Sequence, residues 1–141
     1  MRTISTTDLA HRLRPVFTRL ARRMRQEASG DLTPTQVAAL ATIARFGPLT
    51  PSELASREKI QRPTATRVLA LLEERALVAR TADPADRRSA LVAATPAGVT
   101  LLDAVRERKD AFLARRLDTL TPAERATLER AAEILERVLD E

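Results

Sequence analysis

Residues 50–78 read TPSELASREKIQRPTATRVLALLEERALV, a pattern that predicts two short helices joined by a tight turn. We predict the first helix over 51–58, with Leu54 and Ala55 facing inward, and the second over 62–75 after a connection at 59–61. The second helix has an apolar stripe at helical spacing, formed by Ala65, Val68, Leu69 and Leu72. Two short helices separated by so few residues indicate a helix-turn-helix.

The dipeptide Thr-Pro marks predicted helix starts, and it occurs with proline at positions 34, 51, 96 and 122. Threonine is a good N-cap because its side-chain oxygen accepts a hydrogen bond from a free N–H of the first turn. Proline fits the first helical position because its missing N–H is not needed there. In three of the four cases the third helical residue, Gln36, Glu53 or Glu124, also predicts a capping box.

The remaining helices follow from the apolar periodicity. We predict a helix over 34–46 that ends at Gly47-Pro48, and further helices over 96–117 and 122–139. The inward stripe of the 34–46 helix is Val37, Leu40, Ile43 and Phe46. The first helix covers 6–27, and Pro15 inside it predicts a kink or an early break, because proline removes a backbone hydrogen bond and its ring clashes with a preceding carbonyl.

Between the fourth and fifth helices the pattern becomes that of strands. Residues 76–80 and 90–94 are short apolar runs that fit a strand pair, and the polar segment 81–89 fits the turn between them. The element order predicts a mainly α fold and a single domain over 1–141. Within it, a winged helix-turn-helix lobe (33–95, helices two to four plus the β-hairpin wing) adjoins a helical dimerisation region (6–27 and 96–139).

The long helices have more apolar surface than one small lobe can cover. Large apolar surfaces mark interfaces, and the simplest partner is a second copy of the chain. We therefore predict a homodimer. The residues predicted at its interface are Leu9, Leu13, Val105, Phe112, Leu117, Leu128, Leu135 and Val138.

Composition restricts the possible functions. The 141 residues carry a formal net charge of +5 and nearly all the cations are Arg, which suits polyanionic partners. With no Cys, one His and three Gly, the sequence offers no thiolate nucleophile, Ser-His-Asp triad, cysteine zinc site or glycine-rich phosphate loop. We therefore predict no enzymatic activity, metal or cofactor. No apolar run approaches the roughly 20 residues of a membrane span, so a soluble cytoplasmic protein is expected.

Several motifs resemble the MarR family of bacterial regulators. They are Leu54-Ala55, PTATR at 63–67, LLEERALV at 71–78, the wing segment DPADRR at 83–88 and TPAG at 95–98. The similarity extends over residues 6–139 and implies a homodimeric winged-helix transcription factor, usually a repressor that a small ligand releases. The fourth helix would enter the major groove and the wing the minor groove. Two positions depart from the family pattern, because Gln61 replaces the usual Ser or Thr cap and Ala76 replaces the usual Gly.

The candidate DNA contacts lie on the third and fourth helices and on the wing. An Arg can bind O6 and N7 of guanine in the major groove, and free N–H groups at a helix start can bind phosphate. At the wing, Arg87 suits a narrow minor groove, whereas Arg88 is expected to pair with Asp83 or Asp86 and hold the turn. The predicted DNA-binding residues are Thr50, Ser52, Gln61, Arg62, Pro63, Thr64, Thr66, Arg67, Arg87 and Arg88. The plainer alternatives are a solvated polar face on the fourth helix and capping alone at the start of the third.

The resemblance also implies a small, often anionic aromatic effector, bound between the first and fifth helices and the winged lobe. The residues at suitable positions along the first helix to contact such an effector are Phe17, Arg19, Arg22 and Met24. The sequence thus predicts a sequence-specific DNA-binding regulator, a ligand-responsive repressor that binds a palindromic operator as a homodimer. Two alternatives stay open, a non-specific architectural DNA-binding protein and a helical protein-interaction module.

Overall fold

The computed structural model describes residues 3–141, which form six helices and one two-stranded antiparallel sheet. The elements are α1 (Thr6–Ala28), α2 (Pro34–Phe46), α3 (Pro51–Glu58), α4 (Arg62–Glu74), β1 (Val78–Ala82), β2 (Ala90–Ala94), α5 (Pro96–Leu117) and α6 (Pro122–Leu139). The predicted winged helix-turn-helix fold is confirmed, and every helix ends within one residue of its predicted bounds. α2, α3, α4 and the sheet form the lobe, and α5 packs against both this lobe and α1.

One apolar core runs through the lobe and into α5. Its fully buried side chains include Leu40 of α2, Leu54 of α3 and Leu72 of α4, and α5 adds Leu102 and Val105. Burying a side chain of this size contributes about 1.5–3 kcal/mol to the stability of the fold. The two helices of the helix-turn-helix are therefore held firmly against the rest of the core. One predicted core position is wrong. Phe46 is 44% exposed, because α2 ends there and the Arg57 guanidinium carbon lies over its ring, 3.9 Å from the centroid.

The four Thr-Pro helix starts are confirmed, with the threonine hydroxyl accepting a hydrogen bond from the third helical N–H each time. Two complete capping boxes form, at Thr33 with Gln36 and at Thr121 with Glu124. The third predicted box is only half formed. The Glu53 carboxylate lies 3.3 Å from the Thr50 hydroxyl and accepts from it, instead of from the Thr50 backbone N–H.

The first strand begins two residues later than predicted, because a helix-ending motif occupies Ala76 and Leu77. The Leu77 N–H donates to the Leu72 carbonyl at 2.9 Å, and the Ala76 N–H donates to the Glu73 carbonyl at 2.9 Å. This is a Schellman motif, whose left-handed residue is usually Gly. Ala76 holds that position with φ of 58°, which explains why a Gly at this place would be favoured.

The two terminal helices differ in how they are packed. α1 is continuous from Thr6 to Ala28 across Pro15, so of the two predicted alternatives the early break is wrong, and the helix lies along α5. Within the described part of the chain, α6 buries none of its side chains and leaves an apolar face uncovered. None of the helices within residues 3–141 combines the length and apolarity needed to cross a membrane.

Candidate DNA-binding surface

The turn between α3 and α4 is a second Schellman motif. Lys59 has φ of 54°, its N–H donates to the Ser56 carbonyl at 3.3 Å, and the Ile60 N–H donates to the Ala55 carbonyl at 3.0 Å. Below the turn, Leu54 and Ala65 are completely buried between the two helices. The packing and the turn together fix the start of α4 relative to α3.

Arg62 is the first residue of α4, and its side chain crosses to α3. Its Nη1 atom donates a hydrogen bond to the hydroxyl of Ser52, the second residue of α3. Both residues are exposed. The sequence placed each of them separately among the candidate DNA contacts, and the structure brings them together at one point of the surface.

The other candidates on α4 surround Arg62. Thr66 is exposed, and its hydroxyl donates to the Arg62 carbonyl at 3.0 Å, while Arg67 Nη2 donates to the Thr64 hydroxyl at 3.4 Å. Pro63 is exposed, and Thr64 is half-buried. Gln61 is the N-cap, yet among the described residues no side chain caps the helix there. The departure noted in the sequence therefore leaves free N–H groups at the start of α4.

Thr50 begins α3, where its hydroxyl accepts from the Glu53 N–H at 3.2 Å. Its capping role is therefore confirmed. Ser52, by contrast, points its hydroxyl at Arg62.

The wing turn is held by carboxylates that accept from the backbone. Asp83 accepts from the Ala85 N–H at 2.9 Å, and Asp86 accepts from the Arg88 N–H at 3.0 Å. Among residues 3–141, no ion pair involves the Arg88 guanidinium, so the predicted pairing of Arg88 with Asp83 or Asp86 is wrong. Each of the two carboxylates instead accepts from a backbone N–H of the turn, and Arg87 and Arg88 are both exposed.

A cleft of about 470 Å³ opens between α1 and α5. It is lined by Val16, Arg19, Leu20, Arg22, Arg23, Phe112 and Arg116. The predicted effector residues Arg19 and Arg22 line it, whereas Phe17 and Met24 lie outside it. Arg116 was not among the predicted effector residues. The spacing of Arg116 from Phe112, one helical turn, was the signal that could have found it.

The floor of the cleft is the ring of Phe112, which is 2% exposed. The Arg116 guanidinium carbon lies 3.5 Å from the ring centroid, and Nη1 of the same side chain donates to the Phe112 carbonyl at 3.2 Å. Arg23 approaches the ring from α1 at 5.9 Å. Guanidinium groups thus surround an apolar floor, an arrangement that suits an anion with an apolar body.

The predicted interface residues separate into two groups. Val105 belongs to the core of the protomer, and Phe112 is buried beneath Arg116 and Arg23, so both offer a partner almost no surface. The other six keep some exposure: Leu9, Leu13, Leu117, Leu128, Leu135 and Val138. Five further apolar side chains are exposed on α1, α5 and α6: Val16, Phe17, Val99, Ile134 and Leu139.

The lobe, its wing and the uncovered long helices define a winged helix-turn-helix protein. The family model described as the MarR family matches residues 32–90. An HTH-type transcriptional regulator of Mycobacterium tuberculosis is 37% identical over 97% of this chain and 96% of its own length. The HTH-type transcriptional repressor MdtR of Bacillus subtilis is 31% identical over 84% of this chain and 77% of its own length.

Solved structures agree with this similarity. A transcriptional regulator from Pseudomonas aeruginosa superposes with a TM-score of 0.81 at 33% identity, covering 99% of both chains. The chain belongs to the MarR family of winged helix-turn-helix, DNA-binding transcriptional regulators.

Proposed function

We propose that the chain is a homodimeric repressor that binds a palindromic operator, with α4 of each protomer in the major groove and each wing in the minor groove. The observation that carries the proposal is the exposed start of α4, where Arg62 lies beside Ser52 while the opposite face of the helix is buried. The repressor role is supported by the similarity to MdtR. The proposal gives the chain no catalytic step.

The two contact elements have different tasks. A guanidinium at the start of α4 can donate two hydrogen bonds to a guanine, whereas the minor groove offers the wing only its width and a coarse distinction of A·T from G·C. We assign base recognition to Arg62, Thr66 and Arg67, and groove binding to Arg87 and Arg88. The backbone N–H groups at Thr50 and Gln61 are assigned to phosphates.

We assign the dimer interface to α1, α5 and α6, which we place in one domain with the lobe. A two-fold axis through these helices would place two α4 helices in successive major grooves, roughly 34 Å apart. The uncovered apolar face of α6 supports this assignment, because Leu128 is 47% and Val138 61% exposed in the single chain. A second copy would remove this surface from water.

An effector with an anionic group beside an apolar body is assigned to the cleft between α1 and α5. Four guanidinium groups line it, and none of them belongs to an ion pair within residues 3–141. Binding there would change the affinity for DNA, and DNA would change the affinity for the effector by the same factor. Aromatic carboxylates are the first probes to try.

The test of DNA recognition is selection of bound fragments from a random pool, followed by footprinting. A discrete inverted repeat is the expected result. Uniform coating would establish the architectural alternative, and no binding would leave the interaction module. With about 6–10 phosphates neutralised per dimer, log K against log salt should fall with a slope of about −5 to −9.

The test of the effector site is release of the selected operator by a panel of aromatic carboxylates. Arg22→Ala and Arg116→Ala should weaken the response to an active compound. Arg12→Ala is the matched control, because Arg12 is an exposed arginine of α1 outside the cleft. An equal response in all three variants would place the effector elsewhere.

A further inference from the structure

The hydrogen bond between Ser52 and Arg62 is a direct side-chain link between the two helices of the helix-turn-helix. Ser52 lies in the first turn of α3 and Arg62 at the first position of α4. The Arg62 Nη1 atom donates to the Ser52 hydroxyl at the surface, so the guanidinium is held at one side while its other side faces solvent.

The position of Ser52 is fixed by the residues around it. Pro51 is buried and Thr50 caps the helix, so the backbone that leads into Ser52 is held in place. The tight turn at Lys59 and the buried Leu54 fix α4 against α3. The backbone that carries the Ser52 hydroxyl is therefore held beside the start of α4.

The chemical nature of this acceptor matters for recognition. A carboxylate in its place would neutralise the guanidinium and repel DNA phosphates. A hydroxyl orients the guanidinium and leaves its charge available. Within residues 3–141 Arg62 belongs to no ion pair, so Ser52 is its neutral anchor.

We infer that Ser52 is a specificity-determining positioning residue, which holds Arg62 in the orientation that binds guanine in the major groove. An Arg side chain has five N–H donors, and a bidentate guanine contact uses two of them. Arg62 can therefore keep its bond to Ser52 while it binds the base. The inference rests on the proposed function and assigns Ser52 a task other than phosphate binding.

The expected effect follows from the entropy of the arginine side chain. A long side chain that is already immobilised loses less rotamer freedom on binding. Removing the anchor should therefore lower the affinity for the selected operator about three- to ten-fold. The loss should be confined to operators that keep the base pair read by Arg62.

The experiment is a double-mutant cycle on DNA. Ser52→Ala, Arg62→Ala and the double variant are titrated against the selected operator and against a panel of single-base changes, with thermal melts alongside. Ser56→Ala is the matched control, because Ser56 is an exposed serine one turn further along α3. Ser52→Thr keeps the hydroxyl and should retain the affinity.

The inference is supported if Ser52→Ala weakens binding only when Arg62 and its base pair are both present. It is overturned if the loss is equal on every operator, because Ser52 then contacts phosphate itself. Unchanged or tighter binding by Ser52→Ala overturns it as well and leaves the proposed function standing. A selected operator that Arg62→Ala binds normally also overturns it, and it removes Arg62 from the base contacts of the proposed function. If the parent protein selects no discrete site, the proposed function fails and the inference fails with it.

Discussion

Arg108 of α5 caps the C-terminal end of α1, because its Nη1 atom donates a hydrogen bond to the carbonyl oxygen of Ala28 at 2.8 Å. The same guanidinium lies over Gly30 in the connection that follows. The next residue, Asp31, pairs with Arg75 at the end of α4, with 2.7 Å between Oδ2 and Nη1. The connection between α1 and α2 is thus bound to a long helix at one end and to the DNA-contact helix at the other.

The first prediction is that Gly30→Ala destabilises the protein. Gly30 has φ of +65°, and a Cβ there would lie 2.8 Å from Arg108 Nη1. The left-handed conformation alone costs an alanine about 1–2 kcal/mol, and the displaced arginine would uncap α1. Urea unfolding at one protein concentration measures the loss.

The same substitution in an Arg108→Ala background separates the cost of the left-handed backbone from the cost of the contact with Arg108. If the contact with Arg108 contributes, Gly30→Ala should cost less there than in the parent protein. An equal cost in both backgrounds would leave backbone strain as the whole effect, and no cost in either would contradict the prediction.

The second prediction concerns Ala76, which ends α4 in the left-handed conformation with φ of 58°. Ala76→Gly should raise the free energy of unfolding by about 1 kcal/mol, because glycine adopts this conformation without a steric penalty. Ala79→Gly in β1 is the control and should lower it by about 0.5–1 kcal/mol, since glycine weakens a strand. A loss of stability in Ala76→Gly would show that the Schellman geometry is not strained.

The helices were predictable from sequence because their signals are local. A Thr-Pro start depends on a few adjacent residues, and so do the stripe of Leu40 and Ile43 and the stop at Gly47. The left-handed position of Ala76 was indicated by the family resemblance, because Ala76 stands where the family pattern favours glycine. These features need no knowledge of distant partners.

The candidate site was less predictable, because its contacts join residues that the sequence separates. Nothing in the local pattern indicates that Ser52 accepts a hydrogen bond from Arg62. Nor does it indicate that backbone N–H groups donate to Asp83 and Asp86, the carboxylates that were predicted to pair with Arg88. Val105 was predicted at the dimer interface, yet it is buried within the protomer. The apolar stripe of a helix does not show which of its side chains the protomer buries and which it leaves for a partner. Which partner a side chain meets is decided by tertiary packing.

The third prediction concerns the wing, where we expect the arginine side chains to bind DNA and other groups to hold the turn. Arg87→Ala should weaken operator binding while leaving the major-groove preferences unchanged, with its largest effect beside A·T-rich steps. Arg88→Ala should leave the stability and order of the wing unchanged, because backbone amides hold the turn. Asp86→Ala should disturb the turn.

Operator titrations and amide exchange across residues 81–89 measure these effects. Full affinity in Arg87→Ala would remove the wing tip from the DNA contacts. Faster exchange in Arg88→Ala, equal to that in Asp86→Ala, would show that the guanidinium does hold the turn.

The fourth prediction is a pH dependence at the start of α6. The backbone N–H of Thr121, and then its hydroxyl, lower the pKa of Glu124 from its ordinary value of 4.5. A depressed carboxyl pKa stabilises the fold above the unfolded value, and this stabilisation is lost as the pH falls through the folded value. Glu124→Gln keeps a neutral acceptor, so its stability difference from the parent should shrink between about pH 6 and about pH 3. Unfolding curves that stay parallel over this range would contradict the assignment.

The last prediction tests whether the exposed face of α6 binds a second copy of the chain. Val138 is 61% exposed in the single chain, so Val138→Glu should not disturb the protomer itself. At a dimer interface, however, the new carboxylate would be buried without a partner, at a cost of several kcal/mol. Sedimentation should then show dimer for the parent and monomer for the variant. Ala44→Glu is the control, because it adds the same charge at an exposed position of α2, outside the three helices assigned to the dimer, and should leave the dimer intact. A parent protein that sediments as a 15.6 kDa monomer at micromolar concentration, or a Val138→Glu variant that remains dimeric, would remove α6 from the interface.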